Sequence, residues 1–159
     1  MKLRSLFVTL MTLTLAAAVA GTPVAAQGAA QAGKPGAPAM SKLLASVQGI
    51  WVFTHMNGED VTGSGQEIAV TITDNKYVQT VNGQVVEHGT FKLDDTKKPW
   101  TIDIVIVEGD DAGKTQLGVV QLSGDTMVGK LADAGLTTRP TDFAQSEGAF
   151  AFTAVRRKK

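Results

Sequence analysis

The sequence predicts an all-β fold, an eight-stranded antiparallel up-and-down barrel preceded by a short N-terminal helical turn. Three observations carry this prediction. Eight extended runs follow one another between residues 49 and 157, and turn signals separate them. Within the runs, apolar residues recur with a period of two, which is typical of strands with one buried face. No helical pattern of useful length interrupts the runs, so parallel βαβ units are excluded and sequential strands are expected to pair as neighbours.

The helical turn is predicted from a capping residue and a helical spacing. Ser41 is a residue type that caps helix N-termini, and Leu43, Leu44 and Val47 follow at the spacing of one helical face. After Val47 the period changes to two. The predicted strands are Gly49–Met56, Gln66–Thr73, Lys76–Val81, Gln84–Leu93, Trp100–Glu108, Thr115–Leu122, Thr126–Ala132 and Ala149–Arg157.

The turns between these strands are predicted from residue types that favour chain reversal. Asn-Gly pairs stand at residues 57–58 and 82–83, and this pair is the strongest short-range hairpin signal. Ser123-Gly124-Asp125 separates two later strands, and Gly89 predicts a bulge. An eight-stranded barrel of this kind has room for its own side chains or for one small ligand.

The segment before the barrel is predicted to be a signal peptide, residues 1–26, followed by a flexible linker, residues 27–42. A basic start, an apolar stretch and small residues before two cleavage points, after Ala20 or after Ala26, are the parts of a secretory signal. A membrane anchor is the alternative, but the apolar stretch is shorter than the ~18–20 residues needed to span a bilayer. The linker is rich in Ala, Gly and Pro, and the barrel domain occupies residues 43–159.

The composition limits the cellular compartments and the classes of partner that we expect for the protein. We expect an exported protein, periplasmic or extracellular, with no stable membrane insertion after signal cleavage. The chain has no cysteine, so core packing alone must stabilise it and thiol chemistry is excluded. Without residues 1–26 the chain keeps 13 basic and 15 acidic residues. That balance gives no basic surface for nucleic acid, and the basic run at residues 156–159 is interpreted as a solvated strand end.

Gly49-Ile50-Trp51, at the start of the first strand after a helical turn, resembles the Gly-x-Trp signature of lipocalins. In that family the tryptophan plugs the closed end of the barrel, and an arginine near the end of the last strand lies across its ring. Arg156 stands at the matching position here. The resemblance implies a structural seam of Gly49, Trp51 and Arg156 that joins the first strand to the last.

A second resemblance runs from about Leu43 to Arg156. The chain is similar to a lipocalin-like conserved domain of exported planctomycete-type bacterial proteins, a family without an assigned activity or established catalytic residues. The motifs that carry it occur in order: Gly89-Thr90-Phe91-Lys92-Leu93-Asp94, Thr96-Lys97-Lys98-Pro99, Ile102-Asp103, Gly118, Gly124-Asp125-Thr126 and Arg139-Pro140-Thr141-Asp142-Phe143. Trp100 departs from the pattern, since the family usually has a polar residue there.

Three residues are candidate ligand contacts at the mouth of the barrel: Trp100, Arg139 and Phe143. Phe143 lies in the last long connection, where it can cap the mouth. Arg139 has two interpretations. It can pair with Asp103 or Asp142 as a structural residue, or its guanidinium can bind an anionic ligand through paired hydrogen bonds.

Metal and catalytic sites are not expected. The two histidines, His55 and His88, have no partner at ligand spacing, and the acidic run at residues 108–111 lacks the alternating ligands of a calcium loop. Gly109 to Thr115 is one residue short of a phosphate-binding loop and is followed by a strand. No cofactor and no catalytic residue are predicted.

The leading functional hypothesis is a binding module that holds a small apolar or amphipathic ligand at the open end of the barrel. The alternative is a structural or protein-interaction module with a filled interior, whose partner the sequence does not identify. An enzyme is not expected, because no nucleophile–base set is visible. An apolar interior cavity of about 300 Å³ or more would favour binding over the filled module.

Overall fold

The structure is a computed structural model that describes residues 41–158. The predicted signal peptide, and the predicted linker up to residue 40, lie outside the described residues. The described part begins with helix α1 (Lys42–Ser46). The Ser41 hydroxyl caps α1, since it accepts a hydrogen bond of 3.1 Å from the backbone N–H of Leu44. The predicted helical turn is therefore confirmed.

Nine strands follow α1. They are β1 (Gly49–Met56), β2 (Glu59–Asp60), β3 (Ile68–Thr73), β4 (Lys76–Val81), β5 (Gln84–Asp94), β6 (Trp100–Glu108), β7 (Thr115–Ser123), β8 (Thr126–Ala132) and β9 (Ala149–Arg156). The eight predicted strands are confirmed to within two residues at each end. The additional strand β2 has only two residues, both exposed, so no alternating pattern announces it.

The strands form one closed antiparallel ring in sequence order. Each of β3 to β9 pairs with the strand before it in the ring, and β9 returns to pair with β1. The closing register places Trp51 opposite Arg156 and Phe53 opposite Ala154. β2 pairs only with the end of β1, at residues 55–56. The predicted eight-stranded up-and-down barrel is confirmed, and its closure removes the unpaired edges that an open sheet exposes.

Alternating strand directions define two ends of the barrel. We call the end at which β1 begins the base, and the opposite end the rim. Because neighbouring strands are antiparallel, the base carries the starts of β1, β4, β6 and β8 and the ends of β3, β5, β7 and β9. The connection between β8 and β9, residues 133–148, leaves and re-enters the sheet at the rim.

Two tight turns at the rim have the geometry that their sequence predicts. Asn57 and Gly58 have φ angles of 50° and 82°, and Asn82 and Gly83 have φ angles of 51° and 78°. Positive φ at both central positions is required for the hairpin turn whose twist matches the flanking strands. Asparagine and glycine adopt this conformation at low cost, which explains why the chain reverses at these two points.

The core lies inside the ring. The buried members of its main cluster are Val47, directly after α1, and residues of six strands, and the largest side chains under 2% exposed are Trp51 and Ile106. Inward-facing residues alternate with outward-facing ones along each strand. The interior is therefore built from every second residue of the strands, which positions the site described next.

Candidate functional site

A tryptophan and an arginine from the first and last strands meet at the base. Trp51 of β1 is 1% exposed, and the guanidinium carbon of Arg156 lies 4.1 Å from the centre of a Trp51 ring. The two residues are cross-strand partners in the pair that closes the barrel. A guanidinium over an indole is a favourable cation–π arrangement. The contact therefore joins the two ends of the domain.

The helical turn is bound to the same seam. The indole Nε1 of Trp51 donates a 2.8 Å hydrogen bond to the Val47 carbonyl, directly after α1. Arg156 donates to the carbonyls of Ser46, at 2.7 Å, and Gln48. Gly49 has a φ of 116°, and a Cβ there would lie 3.3 Å from Nη1 of Arg156. The structure thus brings Gly49, Trp51 and Arg156 into one cluster.

Inside the ring, between this seam and the rim, lies a cavity of about 300 Å³. Its wall is mostly apolar and includes Ile72, Phe91, Ile104, Met127, Leu131 and Ala154. The volume is at the lower end of the ~300–1,000 Å³ that small-molecule sites occupy. The barrel interior is therefore large enough for one small ligand.

One side of the cavity is aromatic. We call Phe53 of β1 with Phe150 and Phe152 of β9 the aromatic wall. The ring centroids of Phe53 and Phe152 are 5.1 Å apart, and those of Phe150 and Phe152 are 5.9 Å apart. Gly129 of β8 is the cross-strand partner of Phe152, and a Cβ on Gly129 would collide with the Phe152 ring. Because Gly129 has no side chain, the Phe152 ring can lie over β8.

The opposite side of the cavity carries polar groups. We call Gln79 of β4 with Glu87 of β5 the polar wall. They are cross-strand partners, and both side chains line the cavity. In a closed ring of eight strands, β5 lies four strands away from β9 in either direction. The polar wall therefore faces the aromatic wall across the barrel.

Tyr77 of β4 fixes one oxygen of the polar wall. Its hydroxyl donates a 2.8 Å hydrogen bond to Oε1 of Glu87, and the residue is 7% exposed. Burial, together with the hydrogen bond to Glu87 and its charge, raises the pKa of Tyr77 far above its ordinary value. A Cβ on its cross-strand partner Gly89 would lie 2.9 Å from the Tyr77 ring. The glycine leaves space for the ring to lie across β5.

Other polar groups of the cavity have no protein partner among residues 41–158. The side-chain amides of Gln79 and Gln116 and the Oε2 atom of Glu87 take part in none of the hydrogen bonds in this part of the chain. Among residues 41–158, no side-chain nitrogen or oxygen atom is both fully buried and without a hydrogen-bond partner. The unpartnered atoms of Gln79, Gln116 and Glu87 are therefore accessible to solvent. They are available to bind water or the polar end of a ligand.

The candidate mouth residue Trp100 lies at the other end of the barrel. It is the first residue of β6, which begins at the base, and it pairs with Val120 of β7. Lys98 Nζ stands 5.5 Å from the centre of its ring. Trp100 is not among the residues that line the cavity. In an up-and-down barrel the fifth strand has the same direction as the first, so the predicted order itself places the start of this strand at the end that Trp51 occupies.

The candidates Arg139 and Phe143 lie on the outer wall. Arg139 donates to the carbonyls of Ile102 and Gly118, at 2.7 and 2.8 Å, and forms an ion pair with Asp103. Phe143 lines a groove with the outward-facing residues Val128 and Thr153. Neither lines the interior cavity. The connection that carries them folds back from the rim along the outside of the sheet, which local sequence patterns do not reveal.

The same connection covers a lysine. Lys130 of β8 faces outward, yet its side chain is only 6% exposed, and its Nζ lies 3.3 Å from Asp142. Val119 of β7, also outward-facing, is 2% exposed. Of the two carboxylates considered for Arg139, Asp103 is its partner, and Asp142 pairs with Lys130 instead.

The two histidines lie on different strands, His55 on β1 and His88 on β5. His88 Nε2 lies 3.1 Å from Glu108 at the rim, and His55 contacts the neighbouring Thr54 hydroxyl. No group of three or more potential metal-ligating side chains occurs within residues 41–158. In the acidic run, Asp111 pairs with Lys114 at 2.7 Å.

Sequence reasoning missed the polar wall, although a signal for it existed. Gln79 has the same parity as Tyr77 in β4, and Glu87 has the same parity as Phe91 in β5. A polar residue on the inward parity of a barrel strand is a candidate ligand contact. A bulge in β5 at Gly89, as predicted, would have interrupted that parity, but the extra residue of this register shift is Val107 of β6, so the parity of Glu87 is kept.

No protein-family model, curated protein or solved structure matches the chain. In the described part, no helix has the length and apolar character needed to cross a membrane.

Proposed function

We propose that the protein is an exported lipocalin-like binding module that holds one small apolar or amphipathic molecule inside its barrel. The observation that carries this proposal is the interior cavity of about 300 Å³, whose lining is mostly apolar. A small apolar molecule gains free energy by leaving water for such a site. The protein acts by binding and transport or storage of its ligand, without chemical conversion.

The arrangement of the cavity supports an amphipathic ligand more strongly than a purely apolar one. An aromatic wall offers Phe53, Phe150 and Phe152 to a hydrocarbon or ring. The polar wall faces it with an amide and a carboxylate that have unused hydrogen-bonding capacity. A few placed polar groups in an apolar lining are typical of sites that orient a ligand.

Membership of the lipocalin-like family of exported bacterial domains is part of the same proposal. The closed eight-stranded barrel and the contact between Trp51 and Arg156 support it. Export is supported by the basic start, apolar stretch and small residues of the first 26 positions. A tag placed after Lys159 and followed by cell fractionation tests the compartment. Retention of an unprocessed chain in the cytoplasm would contradict export.

The alternative, a structural module with a filled interior, predicts that nothing enters the barrel. Isothermal titration calorimetry with octanol distinguishes the two, because a cavity binder gives a saturable one-to-one isotherm. We expect saturation for the wild-type protein and none for Val70→Trp, since Val70 lines the cavity and the larger ring fills it.

A matched variant controls for the added bulk. Val105 faces outward on β6 and is 46% exposed, so Val105→Trp adds the same ring outside the barrel and should keep octanol binding. Equal binding of octanol to Val70→Trp would overturn the proposed function, as would the absence of saturable wild-type binding both for octanol and for its charged analogues of equal length. Native mass spectrometry of protein from its own host then identifies the co-purifying ligand.

A further inference from the structure

We propose that the barrel selects amphipathic molecules with a cationic head group, an alkyl or aryl ammonium, over equally large neutral and anionic molecules. This inference rests on the proposed binding function and adds the chemical class of the ligand. The carboxylate of Glu87, opposite the aromatic wall, is the group that makes the selection.

The charge of the cavity is the first observation. Among the described residues that line it, Glu87 is the only one with a charged side chain, and no Lys, Arg or His is present to neutralise it. A carboxylate in a partly desolvated, mostly apolar site interacts with ligand charge more strongly than one in bulk water. The cavity therefore attracts a cation and repels a carboxylate such as that of a fatty acid.

The hydrogen bonds of Glu87 are the second observation. Tyr77 occupies Oε1 with a 2.8 Å hydrogen bond, which orients the carboxylate and leaves Oε2 free. An ammonium group supplies three donors and no acceptor. One donor can bind Oε2, and the side-chain oxygen of the neighbouring Gln79 can accept another. Both acceptors face the cavity, so a donor-rich head group satisfies them together.

The placement of the two walls is the third observation. A ligand whose head group binds Glu87 directs its body across the barrel, because β5 and β9 are four strands apart in the ring. Phe150 and Phe152 of β9 and Phe53 of β1 then pack against the body. The volume of about 300 Å³ restricts the ligand to a small molecule.

The test compares three molecules of nearly equal size, one cationic, one neutral and one anionic. Isothermal titration calorimetry at neutral pH is carried out with octylammonium, octanol and octanoate. Since the first is attracted and the last repelled, we expect octylammonium to bind about tenfold or more tightly than octanoate, with octanol between them. The preference should weaken as salt is added, because part of the interaction is exposed to solvent.

Two variants connect the preference to one carboxylate. Glu87→Gln keeps the side-chain size and removes the charge, so the three affinities should converge to within about threefold, the range that hydrogen bonding alone leaves. Glu108→Gln is the matched control. Glu108 is a rim carboxylate that pairs with His88 and does not line the cavity, so its removal should leave the preference unchanged.

The outcomes separate the two proposals. If none of the three molecules binds the wild-type protein, the binding function itself fails and this inference fails with it. If octanol or octanoate binds as tightly as octylammonium, the binding function stands and the cationic selection is overturned. The wild-type comparison decides the matter even if Glu87→Gln does not fold. Loss of the preference in Glu108→Gln as well would also overturn the role of Glu87.

Discussion

The tyrosine–glutamate pair inside the barrel shows how a single contact sets the chemistry of the cavity. A phenol and a carboxylate in an apolar lining must each find a partner, because an unpaired buried polar group is costly. The hydroxyl of Tyr77 meets this requirement by donating to Glu87. The carboxylate gains an oriented donor, and its second oxygen has no partner among residues 41–158. The pair therefore satisfies two polar groups of the interior and orients a carboxylate in the cavity wall.

The titration of Tyr77 gives a prediction at this scale. In the unfolded chain a tyrosine ionises near pH 10, its ordinary pKa being about 10. Burial and the contact with Glu87 raise the pKa of Tyr77 in the folded state. Above pH ~10 the unfolded state releases a proton that the folded state retains. The stability that protonated Tyr77 contributes is thus complete below pH ~10 and is lost as the pH rises through the folded-state pKa.

Tyrosinate absorbance measures this directly, because Tyr77 is the single tyrosine of the chain. We expect no tyrosinate signal from the native protein near pH 10, and a signal only at higher pH or together with unfolding. Tyr77→Phe provides the absorbance baseline. A reversible titration of the native protein centred near pH 10 would show that the hydroxyl is not held as described.

At the scale of elements, the connection between β8 and β9 is the least regular part of the described chain and yet is firmly attached. Arg139 donates to one carbonyl each from β6 and β7, and to the carboxylate of Asp103. Pro140 and Thr141, beside it, line a groove on the outer wall. The arginine thus performs the structural one of its two predicted roles, and it fastens the connection to strands distant in sequence.

Replacement of Arg139 tests this attachment. Arg139→Met keeps an unbranched apolar stem and removes all of the donors, so we expect a loss of about 1.5–3 kcal/mol of unfolding free energy. Urea denaturation measures the loss, and limited proteolysis should cut residues 133–148 faster. Arg157→Met is the control, since it removes only an exposed ion pair with Glu67 and should cost less than about 1 kcal/mol. Equal losses in the two variants would refute the attachment.

At the scale of the whole molecule, closure of the ring is the feature on which the others depend. The first and last strands pair, and Trp51 and Arg156 stack where they meet. Without this pairing, β1 and β9 would present unpaired edges, which favour aggregation. Closure also encloses the cavity, because its lining comes from strands all around the ring. The cavity is therefore a property of the closed barrel and of no single hairpin.

Truncation of Trp51 should show the cost of weakening the closure. Trp51→Ala is expected to lose about 3–5 kcal/mol of unfolding free energy, as large aromatic truncations in cores do. A double-mutant cycle with Arg156→Met should give a coupling of roughly 0.5–2 kcal/mol. Chemical denaturation measures both values. Trp100→Ala is the comparison, with a smaller loss because Trp100 is only partly buried. A loss under about 1 kcal/mol for Trp51→Ala would remove it from the core.

Much of the site lay beyond what the sequence can predict. Trp100, Arg139 and Phe143 were proposed as mouth residues, but none lines the cavity. Gln79 and Glu87 were not proposed, because a bulge was expected at Gly89 and would interrupt the parity that relates Glu87 to Phe91. A shift of one residue exchanges the inner and outer faces of a strand. Orientation near a bulge is therefore fixed only by pairing with the neighbouring strand.

The sequence by itself determined the helical turn at Ser41, the limits of eight strands, the turn at residues 57–58 and the hairpin at residues 82–83. These features depend on side-chain period and on turn residues, which act between neighbours along the chain. The tertiary structure alone decided the volume of the interior, the course of residues 133–148 and the opposition of the polar and aromatic walls. These depend on how strands distant in sequence align around a ring, and the free energy of that alignment comes from packing that no local pattern records.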